Sequence, residues 1–366
     1  MRRRDICLPR REPMTHHALP YHFQLEQPSL SSSTISSATS AHTATSPALR
    51  PWLSRLSPGL FGIPLGVLAL SASWQRLGAF GWAYSAALAQ GLLWLGLALL
   101  ALLLALTGAK LLRHGAVFRQ EFNHPVQGAL LALMPVACLV AVLLLWPDHP
   151  DWHVAVSVVV ALCLLLQAAL AWHIVSQLAT GQMPAELLSP ALYVPIVPGG
   201  FVGAMALHAL GLPGFAMLLM GMGLGGWALL EMRILNRLFA GPLAPGLRPT
   251  LGIEIAPAAV GTLAVAALWP NLPADFIMIG LGIASGPALA VMTRWRWWIA
   301  TPFSSGFWSF SFPVAVLASC VTEAVRRGGW PPAVALAAVL LASALVVFLV
   351  LRTLILLVQG RLLPRA

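Results

Sequence analysis

A helix rising about 1.5 Å per residue needs about 20 apolar residues to cross the roughly 30 Å hydrocarbon core of a bilayer. From Pro58 onward this chain supplies ten such stretches in succession: roughly 58–77, 84–106, 125–146, 153–175, 191–211, 213–235, 250–269, 273–293, 306–325 and 332–357. Nothing else in the sequence constrains the fold as tightly. Backbone polar groups in lipid must be satisfied within the protein, so a spanning segment is a helix or a strand of a closed barrel. These runs are too long and too uniformly apolar for barrel strands, which alternate. The expected fold class is an all-α membrane protein. Composition agrees: 9% of residues are charged and 59% are hydrophobic, whereas a soluble domain is about a quarter charged.

Residues 1–50 differ from the rest. "MRRRDICLPRREP" is charged and "SLSSSTISSATSAHTATSP" is low in complexity. Neither can bury a core, so residues 1–50 read as a disordered Ser/Thr-rich tail, and residues 51–366 as the ten-helix domain. No apolar run follows the basic residues, so the tail does not read as a signal peptide. Of the 21 Lys and Arg, only Arg76, Arg326 and Arg327 fall at breaks after odd-numbered stretches, with Asp148, Asp151, Asp275 and Glu323. The positive-inside rule then makes both termini cytoplasmic. The net charge of +10 is scattered among loops rather than gathered on one face, which argues against nucleic acid. Cys7, Cys138, Cys163 and Cys320 form no CxxC pair and no zinc spacing, so no metal or other cofactor is expected.

The breaks after odd stretches are mostly short, which pairs the helices as five antiparallel hairpins. Proline then separates the members of each pair. Pro64, Pro135, Pro195, Pro198, Pro257 and Pro313 lie inside odd stretches, while Pro287 alone lies inside an even one. An interior proline costs a helix about 3 kcal/mol and is tolerated where a neighbour takes up the freed carbonyl. The odd helices are therefore expected to be kinked and to form an inner ring around a pore, with the even helices outside against lipid. The pairs Gly62/Gly66, Gly199/Gly203, Gly221/Gly225 and Gly282/Gly286 allow close helix approach. On odd helices glycine is also expected to keep the lumen open.

The segments "GLFGIPLGVLALS" (59–71), "EFNHPVQGALLALMP" (121–135), "RPTLGIEIAPAAVG" (248–261) and "FWSFSFPVAVLA" (307–318) resemble the tellurite-resistance/dicarboxylate transporter family. That family includes the bacterial tellurite-resistance protein A and the slow anion channels of plants. The resemblance runs over about residues 55–360. It implies five hairpins, a pore lined by the odd helices within each protomer, and a homotrimer. It also implies an inner-helix phenylalanine that plugs the lumen, here Phe312. Phe310 stands where the plant channels usually carry tyrosine, so a polar group is missing. A ring in a narrow apolar lumen excludes water and acts as a dewetting gate.

Glu254 lies three residues before Pro257, and an intramembrane carboxylate is a candidate ion or proton site. It is expected either to pair with Arg248 or the Arg294/Arg296 loop, or to carry a proton. His173 and His208 are expected to pack, Asn123 and His124 to cap the third helix, and Glu231 and Arg233 to reach the interface. The absence of an acidic ring and the presence of a basic cytoplasmic rim favour anions. The expected function is an anion channel or transporter of the inner (plasma) membrane, gated by Phe312. The alternative is a proton-coupled transporter of C4-dicarboxylates, sulfite or tellurium oxyanions. No HExxH, GxSxG or phosphate-cradling loop occurs, so no enzymatic activity is expected.

Overall fold

The computed structural model of the chain describes residues 51–363. The expected tail at 1–50 lies outside the described residues. Every regular element among them is helical. Among the described residues nine helices are long and apolar enough to cross a membrane: α2 (Ser85–Arg113), α3 (Pro125–Asp148), α4 (Pro150–Ala179), α5 (Pro190–Ala209), α6 (Pro213–Phe239), α7 (Pro245–Leu268), α8 (Ala274–Thr293), α9 (Ser305–Gly328) and α10 (Pro332–Val358). The stretch expected as the first span is shorter. Its helix, α1 (Gly62–Leu77), has 16 residues, about 24 Å at 1.5 Å per residue, and a 3₁₀ turn at Pro58–Phe61 precedes it.

Burial separates odd from even. The central windows of α5 and α7 are 83% buried, α9 72% and α3 61%, against 22% to 28% for the even helices. Twelve of the 16 residues of α1 are buried. Each odd segment touches the next, α1 to α3, α3 to α5, α5 to α7 and α7 to α9, and α9 closes back on α1. Each even helix packs along the odd segment before it. The exposed side chains of the even helices are large and apolar, among them Leu162, Leu165, Leu218, Leu341 and Val347.

The odd segments are broken rather than kinked, which corrects the sequence expectation. In α1, α5, α7 and α9 a 3₁₀ stretch precedes an α-helical half that begins at Gly62, Val197, Ala256 or Ser311. In α3 the break falls at Ala132, between Pro125–Leu131 and Leu133–Leu145. Pro64, Pro135 and Pro313 are the third residues of these halves, and Pro198 and Pro257 the second. The first turn of a helix has no internal acceptors for its N–H groups, so proline costs little there. Pro195 lies in the link before the helical half of α5.

Breaking a segment frees carbonyls, and side chains of neighbours take them up. Gln167 of α4 donates to Val194 O at 3.0 Å and Pro195 O at 2.8 Å. The Ser311 hydroxyl reaches Trp308 O at 2.7 Å and Gly62 O at 3.2 Å. Ser309 donates to Pro249 O. Glycine serves these contacts more than the lumen. A methyl on Gly66 would collide with Ser311, and one on Gly199 with Gln167. A methyl added at Gly221, Gly225, Gly282 or Gly286 would meet no neighbouring element within 4 Å.

Candidate functional site

Inside the ring of odd segments lie two cavities. The larger, about 450 Å³, is lined by one stripe from each odd helix. Ala69, Ala72 and Arg76 of α1 recur at helical spacing, as do Val260, Leu263 and Ala267 of α7 and Phe312, Val316 and Ser319 of α9. Val140 of α3 and Val202 and His208 of α5 complete it. The smaller cavity, about 50 Å³, is also bounded by all five. Its wall includes Gly62, Val136, Pro198, Ala256 and Pro313, which come from the first turns of the five α-helical halves. A third space of about 550 Å³, lined by Arg55, Glu121 and Arg361, shares Gly59, Leu130 and Thr250 with the small cavity and opens it toward the other end.

Phe312 is common to the linings of the large and small cavities and is 7% exposed. The run "FWSFSFP" fixes which ring stands there. Phe307 and Phe310 turn to Trp298, with ring centroids 6.2 Å and 4.6 Å away. Phe310 also covers Gly252, where an added methyl would meet its ring at 2.7 Å. Trp308 is held through Nε1 by Thr353 at 2.9 Å. Ser311 is buried against Gly62 and Gly66. Phe312 is left as the phenylalanine of this run facing the lumen. Of the six prolines, Pro198 and Pro313 reach the small cavity, while Pro64, Pro135, Pro195 and Pro257 line neither.

Glu254 lines neither cavity. It faces outward into a buried cluster, where Tyr193 Oη donates to Glu231 Oε2 at 2.6 Å and lies 3.3 Å from Glu254 Oε1. Trp227 Nε1 donates to Glu231 Oε2 at 2.9 Å, and Glu254 Oε2 has no partner. Pairing of Glu254 with Arg248 is therefore overturned. Six residues of 3₁₀ helix separate the two by about 12 Å, and Arg248 instead donates to Leu243 O and Trp297 O and covers the Trp297 ring. Glu231 does not reach for the interface as expected, because Tyr193 and Trp227 hold it.

Other residues fall as follows. His124 caps α3, its Nδ1 accepting from Val126 N and Gln127 N at 3.2 Å and 3.3 Å. The Asn123 carbonyl accepts from Gln177 instead. His173 packs on Phe122 at 4.4 Å, as expected of a packing histidine. His208 does not, since it lines the large cavity and its buried Nδ1 has no partner. Arg76, read in the sequence only as a loop charge, lines the same cavity. Its spacing from Ala69 and Ala72 was the available signal. Among the described residues no cluster of His, Cys, Asp and Glu could hold a metal.

Residues 55–357 match the family described as a voltage-dependent anion channel, SLAC1. The chain is also 27% identical over 308 residues to the tellurite resistance protein TehA homolog of Haemophilus influenzae, covering 84% of this chain and 92% of that protein. With a ring of broken inner helices already in hand, the match across nearly the whole described chain places it: the protein belongs to the SLAC1 family.

Proposed function

We propose that the protein conducts small anions through the lumen enclosed by its odd segments, with Phe312 as the gate. One observation carries the reading: one aromatic ring, Phe312, lines both a wide cavity and a narrow one inside the ring of odd segments. Moving that ring by a rotamer change would join them, while its present position excludes water from an apolar constriction. The charge preference has two sources. The positive dipole ends of five half-helices converge on the small cavity. No carboxylate lines either cavity, whereas Arg76 and His208 line the larger one. The walls are otherwise mostly apolar, so an entering ion loses hydration with little repayment, which favours monovalent over multivalent anions.

The protein is read as a multi-pass protein of the inner (plasma) membrane with cytoplasmic termini, following the arginine bias, and as a homotrimer with one pore per protomer. Gly221, Gly225, Gly282 and Gly286, open in their own chain, are where a second copy's helix would approach closely. The test is anion-substituted flux from liposomes. Phe312→Ala is expected to raise chloride or nitrate flux by about tenfold or more, the effect of opening a dewetted constriction. Unchanged anion flux, or flux sustained by a permeant cation alone, contradicts the reading.

A second reading, proton-coupled transport of dicarboxylates, sulfite or tellurium oxyanions, is favoured by the Glu254–Tyr193–Glu231 cluster. Tyr193 has one hydrogen for two carboxylates, so if both Glu231 and Glu254 bond the phenol oxygen, one of them carries a proton of its own. In that case flux follows an imposed proton gradient, and Glu254→Gln removes the dependence. The TehA homolog's name refers to tellurite resistance, which fits either reading.

A further inference from the structure

The large cavity holds more chemistry than a passive vestibule needs. Arg76 stands at its wall on the last turn of α1. One of its donors reaches Ala72 O at 3.3 Å. A guanidinium carries five N–H donors in a planar fork, and among the described residues no other acceptor takes the rest. The nearest carboxylate, Glu323, is already held by two other arginines: Arg326 bonds both its oxygens and Arg327 bonds Oε1. Glu323 is thus occupied by Arg326 and Arg327, and Arg76 has no ion pair among the described residues. In the same cavity, His208 of α5 has a buried Nδ1 without a partner, and Ser319 and Gln75 add polar groups. Leaving a buried nitrogen such as His208 Nδ1 without a partner is costly, and an anion in the cavity would accept from it when it carries the proton and from the open fork of Arg76.

We propose that Arg76 and His208 form a binding site for a planar monovalent oxyanion, of the nitrate, bicarbonate or small carboxylate class, on the Arg76 side of Phe312. The fork of Arg76 matches two oxygens of a planar anion at once, a geometry that a spherical halide cannot use. One guanidinium among alanine, valine and leucine neutralises a monoanion better than a dianion, so sulfate and doubly ionised phosphate are disfavoured. The site loads the permeating ion beside the ring, and in this it rests on the pore reading of the cavity.

Binding is measured apart from transport, by titrating the detergent-solubilised full chain with nitrate and with chloride in a calorimeter. The expected result is nitrate binding in the wild type and in Phe312→Ala, tighter than chloride by about fivefold or more, a typical gain from bidentate pairing. Arg76→Gln weakens nitrate binding by about tenfold or more, as loss of a charge-assisted pair requires. Arg76→Lys keeps the charge, binds both ions and loses the preference for nitrate. If Arg76→Gln fails to fold, Arg76→Lys and His208→Phe decide, the latter weakening nitrate severalfold. Equal affinity of Arg76→Gln and wild type, or no preference between nitrate and chloride in the wild type, overturns the site. The pore is judged separately: nitrate binding without flux through Phe312→Ala removes the pore reading and leaves the site, and flux without binding does the reverse.

Discussion

Helices α4 and α5 lie side by side, yet they solve the same problem in opposite ways. The helical part of α4 runs unbroken for 27 residues, His153–Ala179, and 28% of its central window is buried. It satisfies its own backbone and turns leucine and valine outward. α5 is broken by Pro195 and Pro198, and 83% of its central window is buried. It cannot satisfy its own carbonyls and borrows Gln167 from α4 to do so. The difference teaches where irregular backbone is affordable at membrane depth: only where protein or a cavity, and not lipid, surrounds it. The same contrast holds around the ring, so the lumen is built from segments that would be unstable on the outside.

The contrast can be broken by substitutions that are identical in chemistry and differ only in ring. Gly66→Ala in α1 places a methyl into Ser311, and overpacking of this kind costs about 1–3 kcal/mol. The matching Gly91→Ala in α2 meets nothing within 4 Å and is expected to leave the thermal midpoint in detergent unchanged or slightly raised. Equal destabilisation by the two would abolish the distinction between inner and outer helices. A smaller effect sharpens it. Gln167→Leu leaves the carbonyls of Val194 and Pro195 unpaired, a loss of about 1–2 kcal/mol, whereas Leu165→Ala, at a side chain 68% exposed, has little effect in the same melt.

Much of this was legible in the sequence. Apolar runs and the odd-numbered prolines point to the ring, because the runs repeat ten times and interior prolines recur in all five odd ones, so chance variation averages out. The nature of the breaks was not legible. Whether Pro257 kinks a helix or opens one depends on whether Pro245–Ile255 is α or 3₁₀, and apolar residues suit both. For Glu254 the sequence leaves an arginine partner and a proton-carrying role both open. Its real companions, Tyr193 and Glu231, come from two other segments, and one of them carries the same charge. Arg76 reads as a loop charge because a charge at the end of an apolar run marks the membrane boundary, whereas it stands on the last turn of α1 and lines the cavity. Phe312 was singled out by its place before Pro313 and by family resemblance. That Phe310 turns instead to Trp298 and Gly252 depends on contacts from distant segments.

The most direct test of the central claim is side-specific labelling of single cysteines by a membrane-impermeant, charged thiol reagent, with Cys7, Cys138, Cys163 and Cys320 replaced. Val316→Cys in the large cavity should react from the Arg76 side of the membrane. Ile253→Cys in the small cavity should react from that side only when Phe312→Ala is also present, and Leu165→Cys on the outside of α4 should not react at all. Equal labelling of Ile253→Cys with Phe312 intact, or labelling of Leu165→Cys in place of Val316→Cys, would contradict a single lumen divided at Phe312.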